Sequence, residues 1–231
     1  MFTDLFHNYL LKIFNKGHWL WPKSVEGLES IMPKVGMEKI RKQQLIEATL
    51  ESVEKHGLQG TTISSISKLA GVSTGIISHY FGGKGGLIKG TTIYLLEQLR
   101  QDFLAQFSTQ KPTAIERINY IINANFSTAQ SSNRAAISWL SFWVLSMHSD
   151  ELSQLQKVNH ARLASNLRFA FKTLVKREYV DHCTSILAAQ IDGQWLRCAL
   201  SHSDEVMFAT AANECKALAQ QLIVQYKKTD I

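Results

Sequence analysis

The polar side chains with the most informative spacing lie between positions 73 and 80, in the sequence STGIISHY. On a helix, Ile76, Ile77 and Tyr80 would face one side and the polar residues the other. The polar residues are Ser73, Thr74, Gly75, Ser78 and His79. Because hydroxyl and imidazole groups donate and accept hydrogen bonds, this face suits contact with base edges in the major groove of DNA. The side chains expected to read bases are Thr74, Ser78, His79 and Tyr80.

Two short helices joined at Gly71 would hold this polar face in position. The first helix carries an apolar face, expected to consist of Ile63, Ile66, Leu69 and Ala70. Gly71 can adopt the left-handed turn conformation without a Cβ clash. Ser73 is a natural N-cap for the second helix, with its hydroxyl expected to accept a backbone N–H. The pattern therefore predicts a helix-turn-helix whose second helix enters the major groove.

Lys39, Thr62 and Lys84 are the candidates for contacts with the DNA backbone. Lys39 lies near the start of a helix predicted over 38–56, where a positive charge opposes the helix dipole. A phosphate would offset that cost, although a solvated helix end is the alternative. Lys84 belongs to the run GGKGG, which we interpret as a flexible hinge into a helix over 87–107. Lys84 and the N-terminal N–H groups of that helix could bind a phosphate together.

A second constellation combines tryptophans, a phenylalanine and a carboxylate. Trp139, Phe142 and Trp143 recur at helical spacing, and Asp192 and Trp195 share the later stretch IDGQWLR. Aromatic faces and a carboxylate together suit a quaternary ammonium ion, held by cation–π attraction and charge. An aromatic stripe is more often part of the core, and that alternative stays open. Gly193 costs helix stability, and we expect it to permit close approach of a ligand or helix.

The helix-turn-helix, with Tyr80-Phe81 and Lys84 after it, resembles the DNA-binding domain of the TetR family of repressors. The stretches MPKVGM, STGIISHYF, WLSFW, SMH and IDGQWLR resemble the members that repress glycine betaine synthesis genes and sense choline. The resemblance implies a homodimer built on the last two helices, operator DNA as partner, and choline or betaine aldehyde as effector. A TetR-type repressor that senses another cationic or aromatic compound, such as a drug efflux regulator, is the alternative. One departure is GGKGG, where related repressors carry an Arg-Asp-Lys-Asn-Gly type of turn.

Composition and charge exclude several other classes of protein. The 231 residues include 45% hydrophobic and 19% charged residues, enough apolar character for a packed core. Positions 32–90 carry eight Lys and Arg against four acids, a basic excess that suits phosphate binding. Three unpaired cysteines indicate reduced thiols in a cytoplasmic protein. The scattered histidines form no H-E-x-x-H motif and GGKGG is no P-loop, so we predict no enzyme, cofactor or metal site.

Helical runs and the absence of alternating strand patterns predict an all-α fold. We divide the chain into residues 1–31, a helix-turn-helix domain over 32–84, and a helical ligand-binding and dimerisation domain over 85–231. The helices of that last region are predicted at 114–128, 134–147, 151–175, 176–202 and 205–226. The aromatic, uncharged-overall segment 1–31 is interpreted as an upstream-start artefact, with Met32 as the true initiator. A membrane-surface anchor is less suitable because such helices carry many basic residues.

Overall fold

A computed structural model of the protein describes residues 34–107, 111–201 and 205–228. Contacts divide the chain into two units, Met1–Glu38 and Lys39–Ile231, and the predicted segment 1–31 lies outside the described residues. The α-helices are α1 (Lys34–Gly60), α2 (Ile63–Ala70), α3 (Thr74–Phe81), α4 (Lys84–Leu104), α5 (Ala114–Asn125), α6 (Thr128–Ser131), α7 (Asn133–Ser146), α8 (Asp150–Leu174), α9 (Val180–Leu200) and α10 (Glu205–Gln225). The described residues include no strand beyond an isolated bridge between Val175 and Lys227, so the all-α prediction is confirmed.

Local signals set the ends of the first helices. Gly57 adopts φ 64° and ψ 175° and interrupts α1, as predicted from the glycine there. Thr62 caps α2: its hydroxyl accepts from the backbone N–H of Ser65 at 3.0 Å, while Ser65 Oγ accepts from the Thr62 N–H at 2.9 Å. Gly71 ends α2 in the left-handed conformation, with φ 64° and ψ 33°. This glycine therefore makes the predicted turn.

The helix-turn-helix packs around a seam of fully buried side chains. Its members are Leu45, Thr49, Ser52, Ile66, Ile77 and Leu87. Leu69 was predicted to face this seam but is 37% exposed, and the apolar Ile40 on α1 is also 41% exposed. The buried stripe of α2 instead includes Ser67, so it follows positions 63, 66, 67 and 70 and leaves Leu69 to one side. Ile40 misses the stripe of α1 for the same reason of helical phase.

The GGKGG run is a close-packed junction, which corrects the predicted hinge. Gly82 (φ 72°) ends α3, Gly83 (φ 128°) precedes α4, and α4 begins at Lys84 instead of at position 87. Gly85 and Gly86 therefore belong to the first turn of α4. A Cβ on Gly86 would lie 1.8 Å from the carbonyl oxygen of Phe81. The end of α3 is thus set directly against the start of α4.

The helices after α4 form a bundle around α8 and α9. Phe171, Leu167, Leu187, Ile191 and Ile122 are among its most deeply buried side chains. Predicted boundaries shift slightly: α5 ends at Asn125, and a 3-10 turn at Arg177–Tyr179 separates α8 from α9. None of the described helices combines the length and the apolar character that a membrane span requires.

Candidate DNA-binding surface and ligand site

The N-terminal half of α3 presents its polar side chains to solvent. Ile77 is completely buried, and Ile76 and Tyr80 are half-buried against the core. The predicted outward residues Ser73, Thr74, Gly75, Ser78 and His79 are all exposed. The His79 ring meets the Tyr80 ring edge-on at 4.8 Å. One buried isoleucine therefore fixes the helix while five neighbouring positions remain accessible to a partner.

Ser73 is the N-cap of α3, but its hydroxyl makes no capping hydrogen bond, contrary to prediction. The first turn is closed by the backbone, because the N–H of Ile76 donates to the Ser73 carbonyl at 3.1 Å. The hydroxyl is therefore not consumed by the helix. It lies exposed beside the N–H groups at the helix start, where anions are bound most readily.

The three candidate backbone contacts lie in different settings. Lys39 is exposed on α1, and Lys84 is the half-buried first residue of α4. Thr62 is also exposed, yet its hydroxyl already serves the α2 capping box. The sequence analysis missed this local role, although the threonine directly before an apolar helix was its signal. A phosphate at Thr62 would therefore have to share a hydroxyl group that already accepts a hydrogen bond from Ser65 N–H.

The five predicted ligand residues separate into two groups. Trp139 and Phe142 form a buried pair with ring centroids 5.7 Å apart, and Trp139 Nε1 donates to Gln130 Oε1 at 2.9 Å. Trp143 and Trp195 form a second edge-on pair at 5.3 Å, between α7 and α9. Trp139 is thus a satisfied core residue. The structure brings Trp143 together with Trp195, and Asp192 lies one helical turn before Trp195.

Asp192 on α9 is a half-buried carboxylate beside the imidazole of His160 on the adjacent helix α8. Its side chain is 44% exposed, and its Oδ2 lies 3.8 Å from Nε2 of His160 on α8. Burial raises the pKa of Asp192, and the nearby His160 acts in the opposite direction. The carboxylate therefore ionises at a cost that a cationic ligand would reduce.

Gly193 is not closely approached by another described helix of this chain. It is exposed on α9, and an added Cβ would meet no other described atom within 4 Å. Close approach of a ligand or of a second copy at this glycine stays a prediction.

Three residues that were not predicted as site residues contact Trp195, contact Asp192, or contact the neighbour of Asp192. The rings of Phe208 on α10 and Trp195 meet edge-on, with their centroids 6.5 Å apart. On α8, Gln156 Nε2 lies 3.0 Å from His160 Nε2. Gln156 and His160 are four residues apart in a polar stretch, so their spacing was the only signal and resembled a solvated helix face.

A small cavity lies elsewhere, between α1, α4 and α7. Its volume is about 30 Å³, and Phe142 is the one predicted ligand residue in its lining. The remaining lining residues are Thr49, Leu50, Val53, Leu58, Ile88, Thr91, Thr92, Leu95, Ser138, Ser141 and Leu145. This lining contains no carboxylate that could pair with a cationic effector.

Ion pairs join α7, which carries the aromatic residues, to α1 of the helix-turn-helix. Arg134 Nε lies 3.0 Å from Glu54 Oε2, and its Nη1 lies 3.7 Å from Glu47 Oε2. Asn133 Nδ2 donates to Glu54 Oε1 at 3.3 Å, and the Tyr94 hydroxyl donates to Glu47 Oε1 at 3.1 Å. The start of α7 is therefore attached to α1, while Trp143 lies near the end of α7.

Comparisons with known proteins agree with these features. Residues 45–90 match the family described as "Bacterial regulatory proteins, tetR family", and residues 114–224 match "BetI-type transcriptional repressor, C-terminal". The HTH-type transcriptional regulator BetI of Vibrio vulnificus is 47% identical over 171 residues, covering 74% of this chain and 86% of the relative. BetI of Yersinia pestis is 43% identical over 199 residues, covering 85% of this chain and 100% of the relative.

A solved structure of a transcriptional regulator from Saccharomonospora viridis, in complex with choline, has the same fold. Its TM-score is 0.67 at 15% identity, covering 83% of this chain and 100% of that chain. The curated relatives are transcriptional regulators and not enzymes, as predicted. Regulators of this family bind DNA and dimerise. The chain therefore belongs to the TetR family of bacterial transcriptional regulators, as a repressor of the BetI type.

Proposed function

We propose that this repressor controls genes for the synthesis of glycine betaine from choline, and that choline or betaine aldehyde modulates its binding to operator DNA. The observation that carries the proposal is the match of residues 114–224 to the BetI-type C-terminal region, which includes the Trp143–Trp195 pair and Asp192. We assign DNA binding to residues 32–84 and effector binding and dimerisation to 85–231. Residues 1–31 are needed for neither.

DNA recognition is assigned to the exposed face of α3. Thr74, Ser78, His79 and Tyr80 read base edges, with Ser73 and Gly75 close to the backbone at the start of the helix. Lys39, Thr62 and Lys84 position the phosphates. Support comes from the exposure of the five polar positions and from the unused Ser73 hydroxyl next to the helix N-terminus. The basic excess of 32–90 favours the same surface electrostatically.

The effector site is assigned to the side chains of Trp143, Trp195 and Asp192. Indole faces attract a trimethylammonium group without requiring hydrogen bonds that this group cannot make. Asp192 supplies the negative charge, and its half-buried position strengthens the attraction because water screens it less than at an open surface. Trp139 and Phe142 are assigned a supporting role from within the core, since the Trp139 indole N–H already donates a hydrogen bond to Gln130.

The dimer interface is assigned to α9 and α10. Several large apolar side chains on these helices are exposed in the single chain, and they are Leu200, Val206, Met207 and Val224. Gly193 and Ala217 are exposed on the same helices and would allow close helix packing. Burying this surface against a second copy explains both the apolar exposure and the glycine that nothing contacts within the protomer.

A regulator that senses another cationic or aromatic compound is the second candidate function. It is favoured by the exposed side of the site, because Asp192 is only half-buried and could accept a larger cation. Competition distinguishes the two candidates. A bulky aromatic cation that binds far more tightly than choline would favour the drug-sensing alternative.

Operator binding with and without effector tests the proposal directly. Fluorescence anisotropy with the DNA upstream of the gene should show specific binding that weakens as choline is added. His79→Ala should lose about 1–3 kcal/mol of operator binding and relax specificity at one base pair. His148→Ala is the matched control, because His148 is an equally exposed histidine outside the helix-turn-helix. Unaltered operator binding by both His79→Ala and Tyr80→Ala would show that α3 is not the reader.

A further inference from the structure

Apart from Phe142, the lining of the cavity between α1, α4 and α7 belongs to neither of the sites proposed above. The cavity lies where the helix-turn-helix meets the helical bundle, because α1 belongs to the first and α7 to the second. Its volume of about 30 Å³ is two to three times the roughly 10–15 Å³ that a single buried water requires. The cavity therefore has room for a molecule of a few non-hydrogen atoms.

The chemistry of the lining excludes a charged occupant. The lining carries no charged side chain, and its surface is almost entirely apolar carbon. Its three threonines, Thr49, Thr91 and Thr92, each donate to the carbonyl oxygen four residues earlier in the same helix, at 2.7, 2.9 and 3.0 Å. A charged molecule would lose its hydration here without gaining an opposite charge. The occupant that suits this lining is neutral and mostly apolar.

Ser138 on α7 is the polar exception in the lining. It is 7% exposed, and its Oγ has no hydrogen-bond partner within the part of the chain that the structure describes. Buried hydroxyl groups are nearly always hydrogen-bonded, and leaving one unpaired is costly. A lone water in this cavity needs two to four polar partners. A molecule with an apolar body needs only one polar contact, at Ser138, and fills the remaining space with carbon.

We propose that this cavity is a second ligand site, which takes a small neutral molecule with an apolar body and one hydroxyl or carbonyl group. The polar group pairs with Ser138 Oγ, and the body packs against apolar side chains such as Leu50 and Leu95. The lining residue Ser141 is half-buried, so one side of the cavity lies near solvent. The inference is independent of the proposed effector, because the lining offers a cation neither a carboxylate nor an indole.

Methyl NMR on the full chain, titrated with 2-propanol, tests the inference. The methyl signals of Leu50, Val53, Leu95 and Leu145, all in the lining, should shift together and reach saturation. The dissociation constant should lie in about the millimolar range, because so small a molecule makes few contacts. Leu187 is the internal control, since it is fully buried on α9 outside the cavity and its methyl signals should stay in place.

Ser138→Ala separates the polar contact from the apolar space. The substitution removes a hydroxyl group that is unpaired in the described chain, so the Tm without ligand should not fall. 2-Propanol should bind this variant about fivefold more weakly, as expected for the loss of one hydrogen bond. Ser165→Ala is the matched control, because Ser165 is exposed on α8 and its replacement should leave the affinity for 2-propanol unchanged.

Ser141→Leu tests the apolar space itself, because the larger side chain would occupy the cavity and should abolish the saturable shifts. Wild-type cavity methyl signals that do not respond, or that respond no more than those of Leu187, would overturn the inference. Equal affinity of wild type and Ser138→Ala for 2-propanol would also overturn it, because the unpaired hydroxyl would then take no part in binding. A crystal structure in 2-propanol that shows only ordered water in the cavity would overturn it independently of any variant.

Discussion

Replacing Gly86 by alanine tests how tightly α3, the proposed DNA-reading helix, is fixed to α4. The added Cβ would lie 1.8 Å from the Phe81 carbonyl oxygen, whereas such contacts are essentially never shorter than 3.0 Å. Backbone must therefore move by more than 1 Å at the residue that ends α3. Overpacking of this kind costs about 1–3 kcal/mol. Gly85→Ala is the matched control, because its Cβ would meet nothing within 4 Å and alanine favours the helix by up to about 1 kcal/mol.

Thermal unfolding and operator titration measure the two consequences separately. Since both variants gain similar helix propensity, Gly86→Ala should be less stable than Gly85→Ala by about 1–3 kcal/mol, at about 2–4 °C of Tm per kcal/mol for a chain of this size. Operator affinity should fall for Gly86→Ala alone, because the end of α3 has moved. Gly90→Ala should lie between the two, since its Cβ would meet the movable ring of Phe81 at 2.7 Å. Equal Tm and equal operator affinity for Gly85→Ala and Gly86→Ala would refute the close-packed junction.

Four further predictions concern the ligand site, its connection to α1, the dimer and the N-terminus. Burial raises the pKa of Asp192, so ionisation of this carboxyl group opposes folding, and stability falls as pH rises through that pKa. Asp192→Asn should therefore raise the Tm at neutral pH and weaken choline binding. In acid, where the carboxyl group is protonated, the gain in Tm should vanish. Arg134→Gln removes two partly exposed ion pairs worth about 0.2–1 kcal/mol each, so the choline-induced change in operator affinity should shrink by about 2- to 30-fold. An unchanged ratio would exclude this link. Gly193→Leu should shift sedimentation toward monomer without loss of helicity, whereas an intact dimer would place the interface elsewhere. A chain starting at Met32 should match the full chain in Tm and operator affinity, and a large loss in either would give residues 1–31 a structural role.

The helix-turn-helix was largely predictable because its determinants are local. Gly71 needs a left-handed backbone, and a serine follows it at the N-cap; both follow from residue type alone. Errors arose where the neighbouring helix decides the outcome. Leu69 was expected in the seam because it is apolar, yet the helical phase places Ser67 there. When a polar residue occupies a buried position, the pattern of apolar residues no longer shows which face of the helix is buried.

The junction after α3 and the aromatic site could not be predicted, because both are determined by contacts between residues that the sequence pattern does not relate. Nothing in GGKGG indicates that the Phe81 carbonyl lies over position 86, so a run of glycines was interpreted as flexibility. Trp139 and Trp195 likewise look equivalent in sequence, and only the partner Gln130 distinguishes the core residue from the candidate ligand wall.

The position of α7 limits how an effector can act on DNA binding. This helix carries Trp143 near its end and Arg134 near its start, so a ligand that moves Trp143 also displaces the contacts with Glu47 and Glu54 on α1. Leu45 of α1 and Ile77 of α3 belong to the same buried core. The ion pairs are partly exposed, and allosteric coupling is typically about 1–3 kcal/mol. An effector acting through this route should therefore loosen the operator complex by about 5- to 150-fold and not abolish it, so that release depends on protein and operator concentration as well as on ligand.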